Sequence, residues 1–122
     1  MRRASCVMVR QIVVTAPSPG RVLVQATGQF YAAHLQGAAD DTYADLATAP
    51  AVCDAVGGTH GFRRWIHPNA PATETVETGS LWRVFPVPAA GEYTFYLNAY
   101  SVGGGGAESV NGARLLATFC PD

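Results

Sequence analysis

Three histidines, three cysteines and a thin scatter of acids make up the side-chain chemistry that this 122-residue sequence has to work with. His34, His60 and His67 form one grouping. His60 and His67 are separated by Gly-Phe-Arg-Arg-Trp-Ile, so a three-histidine metal site is conceivable, although the spacing matches no standard ligand motif. His34 with Asp40 and Asp41, across a glycine-containing loop, is a second grouping. A third sets Cys53 near His60 or His67 with Asp54 as the orienting acid, the residue types that a cysteine nucleophile needs. Compact catalytic signatures are missing: there is no G-x-S-x-G elbow, P-loop, dinucleotide fingerprint or H-E-x-x-H helix. The acids fall mainly in loops, and nothing marks two of them as a glycosidase pair. The expectation is three ordinary surface or strand-end histidines, no metal, no cofactor and no catalytic residue, hence a protein that is not an enzyme.

The cysteines Cys6, Cys53 and Cys120 are odd in number, so at most one internal pair forms and one thiol is left free or pairs between chains. Cys6 lies in the first extended run and Cys120 ends the last. Terminal strands are often antiparallel neighbours in sandwiches, which favours Cys6–Cys120, with Cys53–Cys120 as the rival. The remaining chemistry is aromatic. Tyr96 and Tyr100, with Asn98 between them, share one face of an extended run, and Trp65 stands with Arg64 and His67 on another. Aromatic platforms flanked by hydrogen-bonding groups suit sugar rings, whose apolar faces stack and whose hydroxyls need partners. Tyr96, Asn98, Tyr100, Trp65 and His67 are therefore the candidate ligand-binding residues.

These side chains sit on strands. In Tyr93 to Tyr100 the residues Tyr93, Phe95, Leu97 and Ala99 alternate with Thr94, Tyr96, Asn98 and Tyr100, the period-2 pattern of a half-buried strand. Phe85 and Val87 before the Pro-Ala-Ala-Gly turn, and Leu115 and Phe119 in the last run, are expected to line the same core as Tyr93, Phe95 and Leu97. Ser5 to Thr15 reads as a strand, broken by Ala16-Pro17-Ser18-Pro19-Gly20. From Arg21 a second strand buries Val22, Val24, Ala26 and Phe30, with Gly28 as a candidate bulge and Tyr31 to Leu35 as its continuation. Thr42 to Thr48 reads as strand or short helix, Ala49 to Gly61 as loop, and Phe62 to His67 as a short strand stopped by Pro68. Asn69 to Ser80 reads as an exposed connection and Gly103 to Gly106 as a hairpin tip. About seven short runs without a 3.6-residue period predict one all-β domain over residues 1–122, a small antiparallel β-sandwich or jelly roll of seven to eight strands.

Composition narrows the partners. A formal charge of −1 with scattered arginines lacks the basic footprint of a nucleic-acid binder. Hydrophobic residues make up 48% and charged residues only 14%, and there is no lysine to guard strand edges, so self-association is expected. Met8, Ile12 and Val14 oppose Val7, Val9 and Val13, so both faces of the first strand need cover. No window approaches the ~18 apolar residues of a membrane helix, and Arg10 and Gln11 cut short the signal-peptide-like start, so no membrane insertion is expected.

Phe85 to Tyr100, FPVPAAGEYTFYLNAY, resembles the aromatic strand of tumour-necrosis-factor-like and complement-type globular heads, and ARLLATFCPD is similar to the closing strand of such jelly rolls. The V-P-x-x-G-style turn, the G-x-Y-T-F-Y-L-N strand and the Gly-rich loop resemble more closely the uncharacterised bacterial secreted β-sandwich domains. The resemblance implies a fold and an extracellular, cell-surface or virion setting. The combined expectation is a non-catalytic structural, assembly or adhesion domain that forms homo-oligomers, with a carbohydrate-binding module as the alternative.

Overall fold

A computed structural model describes residues 2–3, 6–53, 61–103 and 108–122. Its strands are β1 (Arg2–Arg3), β2 (Val7–Ala16), β3 (Gly20–His34), β4 (Asp40–Ala47), β5 (Gly61–Ile66), β6 (Thr73–Val87), β7 (Gly91–Gly103) and β8 (Glu108–Pro121). They form two antiparallel sheets. In the five-stranded sheet β1 and β2 run along one edge of β7, with β4 and then β5 beyond its other edge; the three-stranded sheet has the order β6-β3-β8. The predicted all-β sandwich is the architecture observed.

Strand β3 shows why the sheets close on each other. Val22, Val24, Ala26, Phe30 and Ala32 are buried on one face, whereas Arg21, Gln25, Thr27 and Gln29 are exposed on the other. Strand β7 supplies the matching wall with Phe95, Leu97 and Ala99, and Phe85 of β6 meets Phe95 at a ring separation of 4.7 Å. Tyr93, Leu115 and Phe119 sit against this cluster and Val87 lies inside it, so the expected phase of β7 and its neighbours holds. Gly28 marks an irregularity: its neighbours Thr27 and Gln29 pair with Arg114 and Asn111, so two residues of β8 stand opposite this one, a bulge of one extra residue.

Two expectations need correction. Asn69 to Ser80 is mostly strand, since β6 begins at Thr73 and pairs with β3 without a break as far as Val87. Its Thr/Glu-rich composition and Gly79 look like a connection. Gly79 is required by close approach, because a Cβ there would stand 2.5 Å from the Phe30 ring and 2.8 Å from the Phe62 ring. Those rings stack at 4.3 Å directly over it. The Gly-rich segment is also no hairpin tip, since β7 and β8 belong to different sheets and the chain crosses between layers there; residues 104–107 lie outside the described ones. The ambiguous Thr42 to Thr48 stretch is strand as far as Ala47, the end of β4.

The sandwich is also tied by arginines. Arg83 of β6 lies over the Phe85 ring and donates from Nη1 to the Leu46 carbonyl of β4 at 2.9 Å. Arg64 of β5 is buried and donates to the Phe30 carbonyl of β3. Each guanidinium thus bridges the layers by a charge-assisted bond to backbone. Phe95→Ala is expected to cost about 3–5 kcal/mol in urea denaturation as a core cavity. The adjacent Tyr96→Ala, on the outer face, should cost less than half of that.

Candidate functional site

Strands β4, β5 and β7 present a connected polar and aromatic surface on the outside of the five-stranded sheet. Alternation directs Thr42, Ala44 and Leu46 of β4 inward, and leaves Asp41 and Tyr43 partly exposed on the outer side, where Asp45 is buried. On β5 Phe62 and Arg64 face the core, while Arg63 and Trp65 face out. The ladder then makes rows: Trp65 lies opposite Asp41, and Arg63 opposite Tyr43, which in turn lies opposite Tyr100.

The contacts within these rows are specific. Arg63 grips Asp41 with two parallel bonds, Nε to Oδ1 at 3.0 Å and Nη2 to Oδ2 at 2.9 Å. The Tyr43 hydroxyl donates to Asp41 Oδ2 at 2.7 Å, and its ring stacks on Tyr100 at 5.0 Å and under the Arg63 guanidinium at 5.3 Å. The bond to Asp41 raises the Tyr43 phenol above its ordinary pKa, helped by desolvation, because the phenolate would face a carboxylate. The same carboxylate raises the Arg63 pKa. Arg63 therefore stays cationic and Tyr43 stays neutral at neutral pH. Trp65 is 51% exposed and meets the His67 ring nearly perpendicularly at 5.4 Å. Asn69 N–H donates to His67 Nδ1 at 3.0 Å, so in the neutral ring the proton sits on Nε2.

The structure sorts the sequence candidates. Trp65, His67 and Tyr100 come together around Asp41, Arg63 and Tyr43. Tyr96 lies further along β7, opposite Ala47 and Gln11. Asn98 is a correction: it is fully buried, and its amide is committed to the segment after β4. Its Nδ2 donates to the carbonyls of Ala49 at 3.0 Å and Val52 at 2.8 Å, and its Oδ1 accepts from Ala51 N–H at 3.2 Å. Residues 49–52 are thus held against the sheet, and no part of Asn98 is left for a sugar. Arg64, grouped by sequence with Trp65 and His67, points the opposite way, into the core, with Nε 3.4 Å from Glu77.

The other groupings also change character. His34 does meet Asp40, by a short bond from Nδ1 deep at one end of the core, and its Nε2 lies 3.1 Å from the Ala70 carbonyl. Both ring nitrogens are engaged with oxygens, so neither is left for a metal. Asp41 turns away to Arg63 instead. Cys53 is joined to Cys6 in a disulfide with Cα atoms 6.0 Å apart, so neither proposed pairing with Cys120 forms, and Cys53 cannot serve as a nucleophile. Cys120 is a free, exposed thiol. His60 and Asp54 lie outside the described residues. Among the described residues no three histidine, cysteine or acidic side chains are grouped to hold a metal.

Sequence reasoning passed over Tyr43 and Arg63, whose signal was the period-2 spacing of Asp41 with Tyr43 and of Arg63 with Trp65. Asn98→Ala is expected to lose about 1–3 kcal/mol in chemical denaturation, since three partly buried backbone groups lose their partners. Asn98→Asp should be at least as damaging at neutral pH, because it turns a carboxylate oxygen toward two carbonyls. Stability within about 0.5 kcal/mol of the parent for both variants would return Asn98 to the list of ligand residues. No family model, curated protein or solved structure matches the chain.

Proposed function

We propose that the domain is non-catalytic and acts by assembly, as a building block or head of a secreted, surface-borne or particle structure that associates with copies of itself. The observation that carries this reading is the outer face of the three-stranded sheet. Alternation obliges only the inner face of a sandwich sheet to be apolar. Here one end of the outer face carries an apolar cluster as well, around the polar Gln25. Trp82 and Leu116 are 58% and 60% exposed and flank Gln25 in one row. Val84 and Leu23 stand side by side in the next row, with Thr118 beyond them, and Pro86 follows in a row with Arg21 and Cys120.

A flat patch of this kind fits a second copy. The whole three-stranded face, the polar end at Thr27 and Gln29 included, measures roughly 45 by 14 Å, the order of the ~800 Å² that each partner buries in a standard interface, with the apolar rows as its anchor. Two identical faces meet about a two-fold axis with each Trp82 against its partner's patch, the self-complementary arrangement of most homodimers. A formal charge of −1 and the lack of lysine leave little repulsion to prevent it. The likeness of Phe85 to Tyr100 to the aromatic strand of tumour-necrosis-factor-like and complement-type globular heads supports the same reading.

Light scattering and sedimentation across micromolar to submillimolar concentrations should show a reversible oligomer. Trp82→Ser should weaken association at least tenfold, as a central aromatic anchor does. Cys120 offers a reporter on the same face: its alkylation rate should fall as concentration rises in the parent and stay constant in Trp82→Ser. A strict monomer over that whole range would overturn the proposal.

A further inference from the structure

We propose that the opposite outer face carries a separate site for one ring of a neutral saccharide, centred on Trp65. The observation is the surround of that indole. On β5 its same-face neighbour is Arg63, two residues before; His67, just past the end of the strand, meets the indole edge-on at a ring separation of 5.4 Å, and across the ladder the partner is Asp41. Same-face neighbours on a strand are separated by about 7 Å, which is the scale of a pyranose ring with its hydroxyls. A half-exposed indole is therefore bordered on three sides by groups that exchange hydrogen bonds.

Their chemistry is complementary to hydroxyls, which both donate and accept. Asp41 supplies acceptor oxygens. The two-point pair uses Nε and one amino group of Arg63, and the other amino group stays outside it as a donor. The Nε2–H of His67 is a second donor, fixed by the bond from Asn69 to Nδ1. None of these groups needs to be reorganised on binding. Asp41 is already held by Arg63 and Tyr43, and Tyr43 by its stack on Tyr100, so little side-chain entropy remains to be lost.

Electrostatics selects the class of sugar. Arg63 and Asp41 cancel each other, and His67 Nδ1 accepts from Asn69 N–H, so the paired charges offer no net attraction for a sialic or uronic carboxylate. The carbon–hydrogen face of an uncharged pyranose covers the indole instead, as aromatic platforms favour. This site shares no residue with the Trp82 face, so a module assembled through one face displays the other repeatedly. Single-ring affinity in an open site of this kind is expected in the millimolar range and gains by multivalency.

The test is a titration of isotope-labelled protein with methyl galactoside, methyl glucoside and methyl mannoside, with N-acetylneuraminic acid as the acidic probe. The indole N–H resonances of Trp65 and Trp82 are assigned from Trp65→Phe and Trp82→Phe. At least one neutral glycoside should shift the Trp65 resonance saturably while Trp82 stays still, with Trp65→Phe retaining binding within a few-fold. Trp65→Ala should lose it at least tenfold, and Arg63→Lys, which breaks the two-point grip on Asp41, should weaken it severalfold. Near-UV circular dichroism confirms that each variant is folded. An unmoved Trp65 at roughly 50 mM of every neutral glycoside, stronger binding of the acidic sugar, or a response at Trp82 instead would each overturn the proposal.

Discussion

The structure rests on the commitment of β3 to partners on both edges. From Gly20 to His34 it pairs with β6 throughout, and over most of that length with β8 as well. Each residue is thereby assigned to one face, and a one-residue slip would carry Val22, Val24, Ala26 and Phe30 out of the core and Arg21, Gln25 and Thr27 into it. The facing strand β7 is held in the same way between β2 and β4. With these two central strands locked in phase, Phe85 finds Phe95, Phe30 finds Phe62 across the bare backbone of Gly79, and Arg83 and Arg64 reach carbonyls of the opposite layer. The outer faces inherit their patterns from that phase: Trp82, Leu23 and Leu116 are aligned because Phe85, Val22 and Leu115 are.

How much of this was legible in the sequence depended on whether a local rule carried the information. The phase of β7, the burial pattern of β3 and the irregularity at Gly28 follow from alternation and glycine placement, both of which operate within a few residues. The first half of β6 was hidden because its glycine answers to two aromatic rings from β3 and β5, and its threonines and glutamates face water. The cysteine partners and the role of Asn98 were out of reach for a related reason. Both depend on where residues 49–53 settle on the sheet, a contact between segments almost fifty positions apart. Asn98 was correctly assigned to the outer face, yet that face is covered at this one point. Arg64 misled in the opposite sense, since a charged residue next to Trp65 reads as surface until its carbonyl and carboxylate partners in the other sheet are known.

The two outer faces differ in a manner that bears on how such a domain is used. One is broad, with an apolar cluster around Trp82, Val84 and Leu116 at one end and uncharged polar residues such as Thr27, Gln29 and Thr78 beyond it. The other is narrow, with its aromatic rings interleaved with an arginine–aspartate pair and a histidine. Because they belong to opposite sheets, occupation of one does not obstruct the other. The buried His34–Asp40 pair and Arg64 mark one end of the core as polar, and they secure the turns beyond β3 and β5 without any exposed chemistry.

The Cys6–Cys53 bond has a mechanical consequence. It closes a loop with a sequence separation of 47 that contains all of β2, β3 and β4. A pull applied to the chain ahead of Cys6 is delivered through sulfur to residue 53, and from the neighbouring segment through Asn98 into the middle of β7. Roughly 160 Å of backbone inside the loop is thereby shielded from tension and cannot be paid out, however hard the end is drawn. Force meets the central strand of a sheet across its hydrogen-bond ladder rather than peeling β2 from the edge, so a tethered copy of this domain would behave as a short, stiff link, extensible only on the far side of residue 53.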